Sequence, residues 1–201
     1  MTRGTWIARL FVAAVAVVLA GSTARAGLLP LSVKVTPEAD NFRWTYSLVL
    51  PTDMKLQSGN YFTIYDFRGY VPGGESMPDG WTLSPTKLGG TPDQLSPVDD
   101  PTLMNLTFTY AGPTIPSGQI GLGNFWAISE YENKTPSSFT AETNRSSDGL
   151  IDRNVTETEA PKAPNVVDPG PSVPEPGTLA LAALGLPFLG FARFIRRRKV
   201  A

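Results

Sequence analysis

Apolar and polar residues alternate along the middle of this chain at a period of two, the pattern of a half-buried antiparallel strand. In FRWTYSLVL, Phe42, Trp44, Tyr46, Leu48 and Leu50 share one face, with Arg43, Thr45 and Ser47 on the other. LSVKV places Leu31, Val33 and Val35 together, and NLTFTYAG sets Leu106, Phe108 and Tyr110 opposite Thr107 and Thr109. NYFTIYDF and QIGLGNFWAIS are apolar on both faces, which predicts central strands, and SSFTAETN predicts a last one. VPGGESMPDG, SPTKLGGTPDQLSPVDDP, GPTIPSG and SSDG supply the turn signals between them.

Six or more strands with Pro- and Gly-rich connections predict an all-β antiparallel sandwich, jelly-roll, immunoglobulin-like or related, over residues 27–156. Its core is expected from Trp44, Trp126 and the Phe/Tyr set. Two stretches, TYSLVLPTDMKLQSGNYFTIYDF and TFTYAGPTIPSGQIGLGNFWAIS, share a layout that ordinary hairpin grammar explains. The segment Ser84–Pro101 is long for a loop in a compact domain. Its four prolines favour extended chain, and such loops are functional or mobile.

The two ends follow other rules. MTRGTWIARLFVAAVAVVLAGSTARA has the three zones of a secretory signal peptide, predicting a short signal helix over residues 1–26. Arg3 and Arg9 form the positive region. Leu10–Ala20 is an apolar run of 11 residues, too short to span a bilayer comfortably. Ala24 and Ala26 supply the spacing signal peptidase recognises, with cleavage after Ala26 preferred over cleavage after Ala24. From residue 157 to 172 the chain is Pro-rich and reads as an extended linker. An uncharged run then leads to Arg193 and to the cluster Arg196, Arg197, Arg198 and Lys199. A single transmembrane helix over 178–195 would be about 27 Å long at ~1.5 Å per residue, close to the hydrocarbon thickness. The basic cluster would stay cytoplasmic and the acidic body would lie on the other side.

Composition removes several kinds of chemistry. The 201 residues contain no Cys and no His. Disulfides, thiolate sites and a Ser-His-Asp triad are therefore excluded. All 18 acidic residues lie between Glu38 and Glu175, where nine basic residues leave a net charge of −9 over residues 27–176. That balance argues against nucleic acid as a partner, because phosphate contacts need clustered Lys and Arg.

The remaining candidates are carboxylates and aromatic rings. Asp99 and Asp100 are adjacent and point apart in extended chain, a poor acid–base pair. Asp66 and Arg68 share a face if IYDFRGY is a strand, so they could pair. Neither arrangement has the controlled separation that carboxylate catalysis needs, so no catalytic residue, resident cofactor or metal is expected. SSDGLIDRN brings Asp148, Asp152 and Asn154 into a turn-rich stretch, but without the spacing of a Ca²⁺ loop. Trp81 follows the PDG turn and is the ring best placed to stack on a sugar. The Asn-X-Ser/Thr triplets at Asn105, Asn133, Asn144 and Asn154 are taken as chance.

Val173, Pro174, Glu175 and Pro176, the apolar run with Leu179, and the closing basic cluster together resemble the PEP-CTERM sorting signal of exported bacterial proteins. The resemblance covers residues 173–201. It implies recognition by exosortase, a membrane-embedded cysteine protease that cuts near the motif. It also implies an inner-membrane-tethered precursor, then the cell surface or extracellular matrix of a Gram-negative-type bacterium that makes exopolysaccharide and biofilm. YFTIYDFRGYVPG and LTFTYAGPTIPSG look like stretches of the sandwich domains that precede such tails, a likeness that supplies no activity. The expectation is a non-catalytic exported protein processed by signal peptidase and exosortase, and held by its C-terminal helix before processing. The alternative is an exopolysaccharide-binding sandwich, Ca²⁺-assisted, with Trp81 as the contact.

Overall fold

The computed structural model describes residues 27–118 and 120–164. Within them lie ten strands: β1 (Leu29–Glu38), β2 (Asn41–Leu50), β3 (Met54–Lys55), β4 (Tyr61–Ile64), β5 (Tyr70–Ser76), β6 (Trp81–Thr86), β7 (Asn105–Tyr110), β8 (Ile120–Ser129), β9 (Asn133–Arg145) and β10 (Ile151–Lys162). Four form one antiparallel sheet in the order β1-β2-β8-β5. Six form the other in the order β10-β9-β4-β7-β6, with β3 also paired to β9. Among the described residues no helix is long and apolar enough to cross a membrane. The signal peptide with Ala24 and Ala26, the linker beyond Pro164, the helix 178–195, Val173–Pro176 and Arg196–Lys199 lie outside the described residues.

The two sheets face each other across an aromatic core. Phe62 on β4 stacks on Phe108 at 4.8 Å and meets Phe125 of the opposite sheet edge-on at 4.9 Å. Trp81 also meets Phe125, at 4.9 Å, and Trp44 lies 6.2 Å from Phe67. Alternation holds along β2, where Trp44, Tyr46, Leu48 and Leu50 are buried, and along β7, where Leu106, Phe108 and Tyr110 are. β4 and β8 are central strands, as their two-sided apolarity predicts.

Several expectations need correction. Leu31 is 65% exposed although Val33 and Val35 pack on the core. A bulge between Pro30 and Ser32 breaks the alternation there. Trp126 is not in the core. It pairs with Thr45 across β8 and β2, while its neighbour Phe125 takes the inward place opposite Tyr46. VPGGESMPDG is not all turn, and Trp81–Thr86 is strand: β5 and β6 carry Pro72 and Pro85 because both are edge strands, where a missing N–H need not break a ladder. SSFTAETN is not the last strand, and the Pro-rich linker does not begin at residue 157. β10 runs on to Lys162, paired residue by residue with β9 from Ile151↔Asn144 to Lys162↔Asn133.

The long connection between β6 and β7 lies as a strap across the outer face of the larger sheet. Thr63 Oγ1 donates to the Gly90 carbonyl at 2.6 Å, and Tyr65 Oη meets Thr91 Oγ1 at 2.8 Å. The Val98 amide donates to Ser138 Oγ at 3.0 Å, and the Phe67 amide to the Met104 carbonyl at 2.7 Å. Apolarity on both faces of NYFTIYDF thus has two causes. Phe62 and Ile64 face the other sheet, and Tyr65 is buried on the outside.

Candidate functional site

The carboxylates gather where the strap returns to the sheet. β4 ends at Ile64, and Asp66 takes a left-handed backbone with φ 56°. Asp66 and Arg68 are therefore not two steps of one strand, and the shared face expected of them does not form. The Asp66 carboxylate instead accepts the Asp100 amide at 2.8 Å. The Asp66 amide donates to Asn105 Oδ1 at 3.0 Å, and Asn105 Nδ2 donates to Asp99 at 3.0 Å. Asp100 caps its own turn by accepting the Thr102 amide and hydroxyl at 2.9 and 2.7 Å.

Electrostatics separate these carboxyls. Burial pushes Asp66 up, the Asp100 amide pulls it down, the charges of Asp99 and Asp100 push it up again, and the charge of Arg68, close enough to act although it makes no ion pair with Asp66, pulls it down. Asp100 is held low by its hydrogen bonds from Thr102. The arrangement fastens backbone. Among the described residues no group of three or more acidic side chains is placed to hold a metal ion.

A pH-dependent result follows. A folded-state pKa raised above the unfolded value means that ionised Asp66 opposes folding at neutral pH. That penalty is relieved as pH falls through the folded pKa and is gone below the unfolded value near ~4. Asn at position 66 keeps the Oδ1 acceptor and tolerates the positive φ. Asp66→Asn is expected to raise Tm by a few degrees at pH 7, with the gain shrinking to nothing near pH 3. Thermal melts of both proteins across that range check it. A Tm lowered at pH 7 would contradict the assignment.

The aromatic candidates are placed otherwise than the sequence predicts. Trp81 is 7% exposed and wedged among Phe62, Tyr110 and Phe125. It is a core residue, and its ring offers no face to a sugar. The hairpin register sends it inward: Trp81 pairs with Tyr110, and Tyr110 also points in. Trp126 lies on the outer face of the smaller sheet, but the Arg43 guanidinium sits 4.1 Å above its ring centroid. Glu38 holds that guanidinium in place. Neither tryptophan is a free stacking platform.

SSDGLIDRN forms the β9–β10 turn and the start of β10. Gly149 takes φ 74°, Asp148 accepts the Leu150 amide at 3.0 Å, and Arg145 reaches Asp148 at 3.1 Å. Asp152 and Asn154 are not in the turn. They lie on the inward face of β10, opposite Thr143 and Ala141. Hydrophobic patterning misses this group, since Asn154, Thr156 and Thr158 are polar yet face inward.

Two tyrosines are also perturbed. Burial, then the charge of Glu142, pushes Tyr61 to about 12. Burial and a hydrogen bond to Glu75 push Tyr70 to about 12. Both are held as neutral phenols at physiological pH.

Residues 172–199 match the PEP-CTERM protein-sorting motif. The match contains the Val173–Pro176 motif and the basic cluster read from the sequence. It implies an exported protein that is a substrate of exosortase. No curated protein matches the chain.

Proposed function

We propose that this is a non-catalytic surface or extracellular-matrix protein, delivered as a tethered precursor and released by proteolysis. The signal peptide exports the acidic body and is cut away after Ala26. The helix 178–195 halts the rest in the inner membrane, with Arg196, Arg197, Arg198 and Lys199 on the cytoplasmic side. Exosortase then cuts near Val173–Pro176, and the sandwich passes to the cell surface or matrix.

One observation carries the reading: the sorting-motif match at residues 172–199 follows a self-contained all-β domain. The lack of His and Cys supports a non-catalytic role, since it removes the commonest acid–base and nucleophilic groups. So does the use of the Asp66, Asp99 and Asp100 side chains as acceptors that fasten the strap.

Intact-mass measurement of the protein from its native host tests the processing. The expected C-terminus lies near Pro174–Pro176, and Glu175→Ala should leave the precursor uncut in the membrane fraction. Retention of Arg196–Lys199 in every wild-type molecule would make the tail a permanent anchor and end the proposal.

A further inference from the structure

Three buried side-chain oxygens on one patch, two of them acceptors only and one a hydroxyl, have no hydrogen-bond partner among the described residues. They are Thr143 Oγ1 on β9, and Asp152 Oδ2 and Asn154 Oδ1 on β10. Thr143 and Asp152 are cross-strand partners, and Asn154 lies two residues further along β10, so all three share the inward face of the hairpin. Thr143 is 0% exposed and Asn154 8%.

Gly27 lies against this patch. A methyl group on its Cα would stand 2.5 Å from Asn154 Oδ1 and 3.1 Å from Thr143 Oγ1. The next residue is fixed there, because Asn154 Nδ2 donates to the Leu28 carbonyl at 3.1 Å. Gly27 and Leu28 are both buried. Position 27 thus has no room for a side chain and lies against two oxygen atoms, Asn154 Oδ1 and Thr143 Oγ1.

Buried acceptors without donors are costly, and native structures rarely leave them so. The fitting group would carry several hydrogens on one atom, a positive charge to match Asp152, and no bulk. A primary ammonium has three donors and meets all three conditions. Arg145 reaches Asp148 at the turn through Nη1 at 3.1 Å, while its buried Nε has no hydrogen-bond partner among the described residues.

We propose that the sandwich holds its own mature N-terminus: the Gly27 ammonium, once freed, docks among Asn154, Thr143 and Asp152. The inference rests on the export reading above. Hydrolysis of the Ala26–Gly27 bond consumes one water, leaves a carboxylate on Ala26 and leaves an amine on Gly27, which is protonated at neutral pH. The docking site also chooses between the two signal-peptidase cuts that the sequence allows. Cleavage after Ala24 would leave Arg25 and Ala26 ahead of Gly27 and deliver no ammonium to the patch. Removal of the signal peptide then completes the hairpin's hydrogen bonding as well as releasing the chain.

The test uses the full chain, exported with its own signal peptide and purified from the host. Intact mass gives the first residue, and an amine-acylating reagent at pH 7 reports the Nα by peptide mapping. The expected start is Gly27. Its Nα should acylate at least about tenfold more slowly in the native protein than in the same protein unfolded in denaturant, equivalent to one unit of pKa. Asp152→Asn should restore most of the unfolded rate. A different first residue would overturn the cleavage position and the docking together. A Gly27 start with equal native and unfolded rates would overturn the docking alone. Should the Asp152→Asn protein fail to accumulate, the wild-type native-to-unfolded ratio decides.

Discussion

Phe62→Ala is expected to destabilise the sandwich by about 3–5 kcal/mol, the range for deleting a buried aromatic ring. Phe62 is fully buried on a central strand of the larger sheet. Among the described residues it is the one ring in contact with four others: Phe108 at 4.8 Å, Phe125 at 4.9 Å, Trp81 at 5.4 Å and Phe139 at 5.5 Å. Its removal takes away transfer free energy and leaves a cavity that these neighbours cannot close. Phe108 and Phe139 are held on flanking strands paired to β4, and Phe125 belongs to the other sheet. With a total stability of about 5–15 kcal/mol for a domain, the loss is a large share. Denaturant titration checks it: the midpoint should fall sharply while the slope stays near wild type. A loss below about 1 kcal/mol would mean that the ring cluster is not the centre of the core. Phe62→Leu, which refills much of the volume, should cost markedly less.

The same rings show what could be read from the chain. Where one large apolar residue sits at every second position, as at Trp44, Tyr46, Leu48 and Leu50, parity alone gives the face. It also gives Phe108 and Tyr110. Parity fails where two aromatics are adjacent. Phe125 and Trp126 cannot both face inward, and the choice is made by the partner strand, where Tyr46 stands opposite Phe125 and Thr45 opposite Trp126. It fails also where chain geometry breaks the period, as at the bulge that turns Leu31 outward. β10 carries almost no hydrophobic signal, because Asn154, Thr156 and Thr158 occupy inward positions that would ordinarily be apolar. Its pairing with β9 comes from a tight turn at Gly149 and a ladder of main-chain bonds, neither visible as periodicity.

The candidate sites follow the same logic. The carboxylates near Asp66 were legible as residues but not as a device. Their roles depend on a left-handed Asp66 and on the strap returning to it across 34 residues of sequence separation. Trp81 beside a turn gave a sound reason to expect exposure, but hairpin register outweighed it. The sorting motif was legible because its signal is local: a short motif, an apolar run and a basic cluster in sequence. The patch around Gly27 was not, since it joins the start of the domain to Asn154 near its far end.

Gly90→Ala should release the strap from the outer face of the larger sheet. Gly90 has φ 68°, so an Ala there begins with backbone strain of about 1 kcal/mol or more. The steric term is larger. Its methyl would lie 2.1 Å from Thr107 Oγ1 and 2.3 Å from Thr63 Oγ1, distances no rotamer change at a single site can repair. Thr63 is fully buried, and its hydroxyl bonds both Thr107 at 3.0 Å and the Gly90 carbonyl at 2.6 Å. Two outcomes compete: the sheet distorts, or the strap lifts. Lifting is the cheaper, because the strap contributes little apolar burial. Leu88 is 70% exposed and Val98 63%, and its anchors are mainly hydrogen bonds that water can replace once Thr63, Tyr65 and Thr140 are uncovered. The cost is therefore capped near the strap's own contribution, about 2–4 kcal/mol. Limited proteolysis should show new cleavage confined to residues 87–101, at least tenfold faster than wild type, while β7 and β9 stay protected from hydrogen exchange. Thr91→Ala removes one hydroxyl partner of Tyr65 and should cost only about 1 kcal/mol with little new cleavage. Unchanged proteolysis in Gly90→Ala would mean that the strap is not seated by the close approach of Gly90 to the two threonines. Uniform loss of protection across both sheets would instead make the strap part of the cooperative core, and its hydrogen bonds worth more than their exposure suggests.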